Sequence, residues 1–260
     1  MEIPFVKYQG TGNDFIIINA FRDRDIISRF DKSLVRHMCD RHFGIGADGL
    51  ILLAQDDELE FKMIYFNSDG AESSMCGNGG RCLAHFAHKL GIVGARMHFN
   101  AFDGPHEALI GDEVSLKMMD VLDYSRVGED YVLDTGSPHY VRFVSSLVFD
   151  DFIYKARDIR YSDSFHVQGI NVNFAVLKDE AVHMRTYERG VENETLSCGT
   201  GVVATSLASF LESGEKMPVP IHVVAPGGRL SVDFKFNAKQ FTDIWLRGPA
   251  QEVFKGLFVV

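Results

Sequence analysis

The chain has 260 residues, 36 of them acidic and 26 basic, for a formal charge of −10 with no basic cluster to offset it. That balance excludes nucleic acid and anionic membrane as working partners, and no apolar run reaches the roughly 18 residues of a membrane span. Four cysteines are too few for a disulfide scaffold at this length, and without a Cys-x-x-Cys pair they predict no metal site. Met1-Glu2-Ile3-Pro4 lacks a basic region followed by an apolar one, so a cytoplasmic protein is expected.

In chain order, β-rich or alternating runs predict strands at 15–19, 50–53, 61–66 and 114–118, and again at 140–144, 174–177, 182–187, 222–224 and 244–247. An amphipathic helix is predicted at 32–41, with Leu34, Val35 and Met38 on one face. Two longer helices are predicted. Over 80–90, Leu83, Ala84, Phe86, Ala87 and Leu90 recur at helical spacing. Over 202–212, Val202, Val203, Ala204, Leu207, Ala208, Phe210 and Leu211 leave so little polar surface that the helix is expected to be enclosed.

Each long helix follows a cysteine. Cys76 stands in Glu72-Ser73-Ser74-Met75-Cys76-Gly77-Asn78-Gly79, and Cys198 in Glu194-Thr195-Leu196-Ser197-Cys198-Gly199-Thr200-Gly201. The two lie 122 residues apart, with Glu four positions before each. Other segments match at nearly the same offset: Thr11-Gly12-Asn13 with Thr135-Gly136-Ser137, Met63 through Asn67 with Met184 through Glu188, and Met97-His98 with Ile221-His222. Such order argues for a duplicated fold. An α+β chain of two pseudo-symmetric domains follows, each with strands wrapped around a central helix. The expected division is 1–122, with 249–260 returning to it, and 123–248. The segment 249–260 has no evident counterpart ending the first half.

A cysteine at a helix N-terminus gains thiolate character from the helix dipole. The unpaired amides there also suit a carboxylate, and glycine lets the backbone approach it closely. Two such ends can supply a base and an acid for one α-carbon, with the amides stabilising charge that develops on the carboxylate. A lone free cysteine is more often a small buried hydrophobe, and Cys39 and Cys82 are read that way. For Cys76 and Cys198 the repeated glycine context favours chemistry. A redox-sensing or disulfide-forming pair remains open at this point.

Five segments in order resemble the diaminopimelate epimerase family over nearly the full length: Gly10 through Phe15, Cys39 through Gly49, Met75 through Cys82, Tyr187 through Gly190, and Ser197 through Gly201. The resemblance implies cofactor-independent interconversion of LL- and meso-2,6-diaminopimelate in lysine and peptidoglycan precursor synthesis, with the site in the interdomain cleft and a homodimeric assembly. It implies Cys76 and Cys198 as the catalytic pair. Gly77-Asn78 and Gly199-Thr200 would hold the reacting carboxylate. Asn13, Asn67, Asn171, Glu188 and Arg189 would hold the substrate, and His139 and Glu188 would tune the thiols. Asp14 is read as a brace for its turn.

The chain departs from the family in three places. Ser137 stands where Asn is usual and lacks its amide donor. The segment 189–195 is one residue longer than usual. Phe254 stands where Tyr is frequent. The nearest enzyme alternative, a proline or hydroxyproline racemase or epimerase, typically carries His where this chain has Asn78. Relatives of the phenazine-synthesis type generally lack the cysteine pair. A non-catalytic amino-acid-binding module would not need both cysteines.

Overall fold

The computed structural model describes residues 2–73, 75–178 and 180–260; Ser74 of the first cysteine motif lies outside them. The chain forms two compact units, Met1–Leu116 with Gly248–Val260, and Lys117–Arg247.

In the first unit, β1 (Glu2–Gly10) turns at Thr11-Gly12 into β2 (Asn13–Asn19). Both turn residues have positive φ, 53° and 83°, a left-handed pair that matches the twist of the joined strands. Parallel strands need a crossover, usually a helix. Here α1 (Lys32–Cys39) carries the chain from β2 to β3 (Gly49–Ala54), which pairs in parallel with it. β4 (Phe61–Asn67) returns antiparallel to β3, and β5 (Glu72–Ser73) folds back on β4. The central helix α2 (Gly77–Lys89) follows. β6 (Arg96–Ala101) then pairs in parallel with β4, and β7 (Gly104–Ile110) and β8 (Val114–Lys117) complete a meander.

The second unit repeats this order. β9 (Tyr124–Val127) and β10 (Asp130–Asp134) lead into β11 (Pro138–Phe143). α3 (Phe152–Arg160) is the crossover to β12 (Asn171–Lys178), parallel to β11. β13 (Ala181–Glu188), β14 (Asn193–Thr195), α4 (Gly199–Glu212), β15 (Ile221–Ala225), β16 (Gly228–Asn237) and β17 (Gln240–Gly248) follow with pairings equivalent to those of the first unit.

The register makes the duplication exact enough to compare residues. Phe15 lies opposite Gly49 in the parallel ladder as His139 lies opposite Asn171. Ile51 lies opposite Tyr65 as Asn173 lies opposite Thr186.

Both long helices are cores wrapped by strands. On α2, Cys82, Leu83, Ala84 and Ala87 are fully buried, and on α4 Val202, Val203, Ala204, Leu207 and Ala208 are. Full burial of each larger side chain contributes about 1.5–3 kcal/mol. Ser206 and Ser209 are tolerated inside α4 because each hydroxyl donates to the carbonyl four residues back, at 2.8 and 2.7 Å.

Several expectations are corrected. Leu90 caps α2 and is exposed rather than core. The helix expected at 32–41 ends at Cys39, because the Asp40 carboxylate accepts from the amides of His42 and Phe43 and bends the chain. Helix α3 went unforeseen, since only Phe152 and Ala156 of its residues are buried. The terminal segment does have a counterpart. β18 (Gln251–Val259) pairs antiparallel with β1, with Gln251 opposite Gln9, and β9 pairs with β10 in the same way, with Tyr124 opposite Leu133. The four-residue length of β9 hid the correspondence.

Candidate functional site

The two cysteines occupy equivalent places. Cys76 is the N-cap of α2 and Cys198 the N-cap of α4, both in extended backbone. The first intrahelical bonds, Gly80 N to Cys76 O at 2.7 Å and Val202 N to Cys198 O at 2.9 Å, start immediately after them. Helix geometry leaves the earlier first-turn amides without an intrahelical acceptor and gives that end roughly half a positive charge. None of the four cysteines is in a disulfide. Cys39 and Cys82 are buried, and burial pushes both thiols up to about 12, which suits inert core positions.

Around Cys76 the first unit assembles Asn13 and Asn78. The Cys76 sulfur donates to Asn13 Oδ1 at 3.5 Å, and Asn78 Nδ2 donates to the same oxygen at 3.2 Å. Asn13 Nδ2 donates to Asp48 Oδ2 at 2.6 Å, which fixes the amide's orientation. Asp14 braces this turn as expected from the sequence: it pairs with Lys7 and Arg41, each at 2.7 Å. Burial raises its carboxyl, but hydrogen bonds and charge from Arg41 and Lys7 prevail and hold it at about 2. Behind the helix start, Arg81 is completely buried. It donates to Asn78 Oδ1 at 3.0 Å, Thr11 Oγ1 at 3.2 Å and the Gly77 carbonyl at 3.4 Å, and its Nε meets no hydrogen-bond partner among the described residues. Among the described residues it makes no ion pair.

Around Cys198 the second unit assembles Thr200 and His139. Thr200 Oγ1 lies 3.5 Å from the sulfur and 2.8 Å from His139 Nε2. His139 is completely buried, and burial, with the charge of Arg189, lowers it to about 3, so the imidazole is neutral. Three further residues meet beside it. Asn171 Nδ2 donates to Ser137 Oγ at 2.8 Å, Asn171 Oδ1 accepts from the Arg189 amide at 2.8 Å, and Arg189 Nη2 reaches Ser137 Oγ at 3.4 Å. The Ser137 hydroxyl thus joins the two side chains.

Two further expected residues lie at strand ends. Asn67 is exposed, and its backbone holds the turn to Ala71 and Gly70. Glu188 ends β13 opposite Asn193, its carbonyl accepting from Glu192. Gly77 and Gly199 open the two helices. Four residues were missed: Asp48, Arg81, Asn173 and Thr186. The signal for Asn173 was present, because Asn171 and Asn173 alternate onto one face of a strand otherwise built from Val172, Phe174 and Ala175. Arg81 could have been noticed as a lone charge within the apolar stretch of α2.

The family model for diaminopimelate epimerase matches residues 5–120 and 131–253. The chain belongs to the diaminopimelate epimerase family. A diaminopimelate epimerase of Flavobacterium psychrophilum is 47% identical over 253 residues, covering 96% of this chain and 97% of that one. One of Chlorobaculum tepidum is 40% identical over 258 residues, covering 95% and 98%. Among solved structures, a phenazine biosynthesis protein of the PhzF family from Bacillus anthracis matches with a TM-score of 0.75 at 12% identity, covering all of both chains. A hydroxyproline epimerase from Agrobacterium vitis matches with 0.65 at 14%, covering 99% of this chain and 92% of that one. At such identities the structures speak to the fold alone, and it is the two-domain fold of this epimerase family. These relatives place the chain among isomerases. Among the described residues no helix is long and apolar enough to cross a membrane, and no three His, Cys, Asp or Glu side chains converge as a metal ion would need.

Proposed function

We propose that this protein interconverts LL- and meso-2,6-diaminopimelate without a cofactor, in the cytoplasm, on the route to lysine and peptidoglycan precursors. The observation that carries the reading is the matched placement of Cys76 and Cys198 as N-caps of the two central helices. Inversion at an α-carbon needs a base on one face and an acid on the other. One cysteine, as thiolate, takes the α-proton, and the electrons of the broken C–H bond pass into the carboxylate. The other, as thiol, gives its proton to the opposite face of the carbon. The first-turn amides at Gly77-Asn78 and Gly199-Thr200 stabilise the charge that develops on that carboxylate.

The non-reacting end needs a carboxylate and an ammonium partner. Arg189 can grip a carboxylate in bidentate fashion, with Ser137 and Asn171 beside it and Asn13, Asn67 and Glu188 completing the set. A homodimer is part of the proposal: β18 carries exposed Val253, Phe254, Leu257 and Val259, an apolar edge of the kind that proteins usually cover.

The test is isotope exchange in deuterated water with LL-diaminopimelate, proline and hydroxyproline, each offered to the reduced protein. Deuterium entering the α-position of diaminopimelate with conversion to the meso form is expected. Exchange with proline or hydroxyproline instead, or with none of the three, would overturn the proposal.

A further inference from the structure

The duplication permits a comparison that the site residues alone do not. Beneath the first turn of α2, the glycine Gly79 rests on Ile51, Met63 and Phe15, with Tyr65 packed edge-on against Phe15 at 6.1 Å between centroids. Beneath the first turn of α4, the equivalent Gly201 rests on Asn173 Oδ1 and His139 Cε1. The ladders assign Phe15 to His139, Ile51 to Asn173 and Tyr65 to Thr186. All three positions are buried in both units. One unit therefore fills this place with two apolar side chains and a tyrosine ring, and the other with an imidazole, an amide and a hydroxyl. Burying polar groups is unfavourable unless each is paired, and here each is. Packing alone does not call for them.

The hydrogen bonds have one consistent direction. Asn173 Nδ2 lies 3.0 Å from the Tyr140 carbonyl, which can only accept, and Asn173 Oδ1 accepts from the Thr186 hydroxyl at 2.9 Å. The amide orientation is thereby fixed. The same Nδ2 lies 3.1 Å from His139 Nδ1, so Nδ1 of the neutral ring must accept and Nε2 must carry the proton. Asn171 Nδ2 also lies 3.4 Å from Nε2, but its two hydrogens go to the closer Ser137 hydroxyl and Pro138 carbonyl; Nε2–H then donates to Thr200 Oγ1 at 2.8 Å, and the Thr200 hydroxyl proton is free to point at the Cys198 sulfur, 3.5 Å away.

We propose that Asn173, held by Thr186, is a positioning residue that sets the tautomer of His139 so that Thr200 donates a hydrogen bond to Cys198 and favours its thiolate. This rests on the reading of Cys198 as an acid–base group of the epimerase. The charged groups on the surrounding strands leave that direction intact. Arg189 disfavours a proton on the ring, Arg185 is paired with Glu194, and Arg142 with Asp130. Asp134 accepts from the Gly136 amide, and Glu188 ends β13.

The experiment uses the full chain carrying Cys76→Ser, so that Cys198 is the remaining thiol of the repeated pair. The rate of its alkylation by iodoacetamide is followed against pH by mass spectrometry, and the nitrogen-15 spectrum of His139 reports the tautomer. The Nε2–H form is expected, with a Cys198 midpoint below that of free cysteine, about 8.5. Asn173→Asp replaces the donor with an acceptor and should move the proton to Nδ1. The midpoint should then rise by about one pH unit, with alkylation near neutrality about tenfold slower. Thr200→Val should give the same rise without altering the imidazole's surroundings on β12, and Thr200→Ser should restore the original profile. A ring protonated at Nδ1 in the parent, or identical profiles for Thr200→Val and Thr200→Ser, would overturn the proposal. No diaminopimelate is involved, so the relay and the reaction can fail separately. Absence of epimerisation in the native protein with the shifts intact would refute the reaction and support the relay.

Discussion

Arg81 and Val203 occupy the same position, five residues after the cysteine and just past the first turns of the two central helices, and both are completely buried. One helix start thus has a buried cation behind its thiol and the other an aliphatic side chain. The unit with Arg81 has the mainly apolar trio Phe15, Ile51 and Tyr65 beneath its helix, and the unit with Val203 has the polar trio His139, Asn173 and Thr186. The duplicated backbone therefore offers its two thiols different electrostatic surroundings. That suits a reaction in which one thiol must hold a proton while the other lacks it.

Arg81→Met tests the cation. Replacing a buried ion that makes no ion pair among the described residues by an apolar chain of similar length is expected to be near neutral, by analogy with replaced buried ion pairs. Against this, the Asn78 and Thr11 oxygens lose a donor, a cost of about 1–3 kcal/mol. Burial already pulls the guanidinium below its ordinary value, and Cys82, Cys76 and Glu113 oppose that pull whenever they are ionised. The melting temperature is expected to change little. The limb of the kcat/KM profile that reports the catalytic base should move up by about one pH unit, equivalent to about 1.4 kcal/mol of lost attraction. An unmoved profile with a large fall in melting temperature would assign Arg81 to folding alone.

The two motif glycines should differ in tolerance. A methyl at Gly201 would lie 2.8 Å from Asn173 Oδ1 and 3.2 Å from His139 Cε1, while one at Gly79 would lie 3.0 Å from the terminal methyl of Ile51. A chain end can swing away, whereas a hydrogen-bonded amide has nowhere to go. Overpacking of this kind costs about 1–3 kcal/mol, and Gly201→Ala should stand at the upper end of that range. Thermal unfolding of both variants, with epimerisation assays, is the check; a larger loss in Gly79→Ala would contradict the geometry.

The parts of the fold legible in the sequence were those set by local pattern. The repeated Cys-Gly-x-Gly turns marked both helix starts, and the apolar run from Val202 to Leu211 announced an enclosed helix. Helix α3 was not legible because Phe152 and Ala156 alone do not make a periodic stripe. Strand β9 was not legible because four residues cannot display alternation. In the site, residues that touch the thiols or the first turn sat inside recognisable motifs. Asn173 and Thr186 act through another side chain, and what gives them meaning is the ladder that sets them opposite each other. Only a register can supply that.

Ser137 and Arg189 carry the expectation for the distal end of the substrate. Arg189→Lys keeps the charge but loses the planar fork, so binding of a carboxylate should weaken in ground state and transition state alike. KM is expected to rise about ten- to a hundredfold, in line with about 1.5–3 kcal/mol for a charged hydrogen bond, with kcat little changed. Ser137→Asn adds an amide donor beside Arg189 and should lower KM. Steady-state kinetics on both variants decide the point. A fall in kcat at constant KM would move Arg189 from binding to chemistry.

Acid should unfold the protein through two groups whose signs agree. Asp14 is held at about 2 in the folded state against an ordinary value of 3.8, so its contribution is complete above about pH 4 and is lost as pH falls toward 2. From that displacement it is on the order of 2 kcal/mol. His139 is lowered from 6.5 to about 3 because burial, aided by Arg189, keeps it neutral. The unfolded chain binds that proton first, so stability also falls as pH drops from about 6.5 toward 3. Asp14→Asn should remove only the lower window. The difference in unfolding free energy between the native protein and Asp14→Asn should be constant from pH 7 to about 5 and shrink between 4 and 2. Urea titrations at fixed pH values measure it. A difference that persists undiminished at pH 2 would mean that the Lys7–Asp14–Arg41 cluster stabilises the turn by packing rather than by charge.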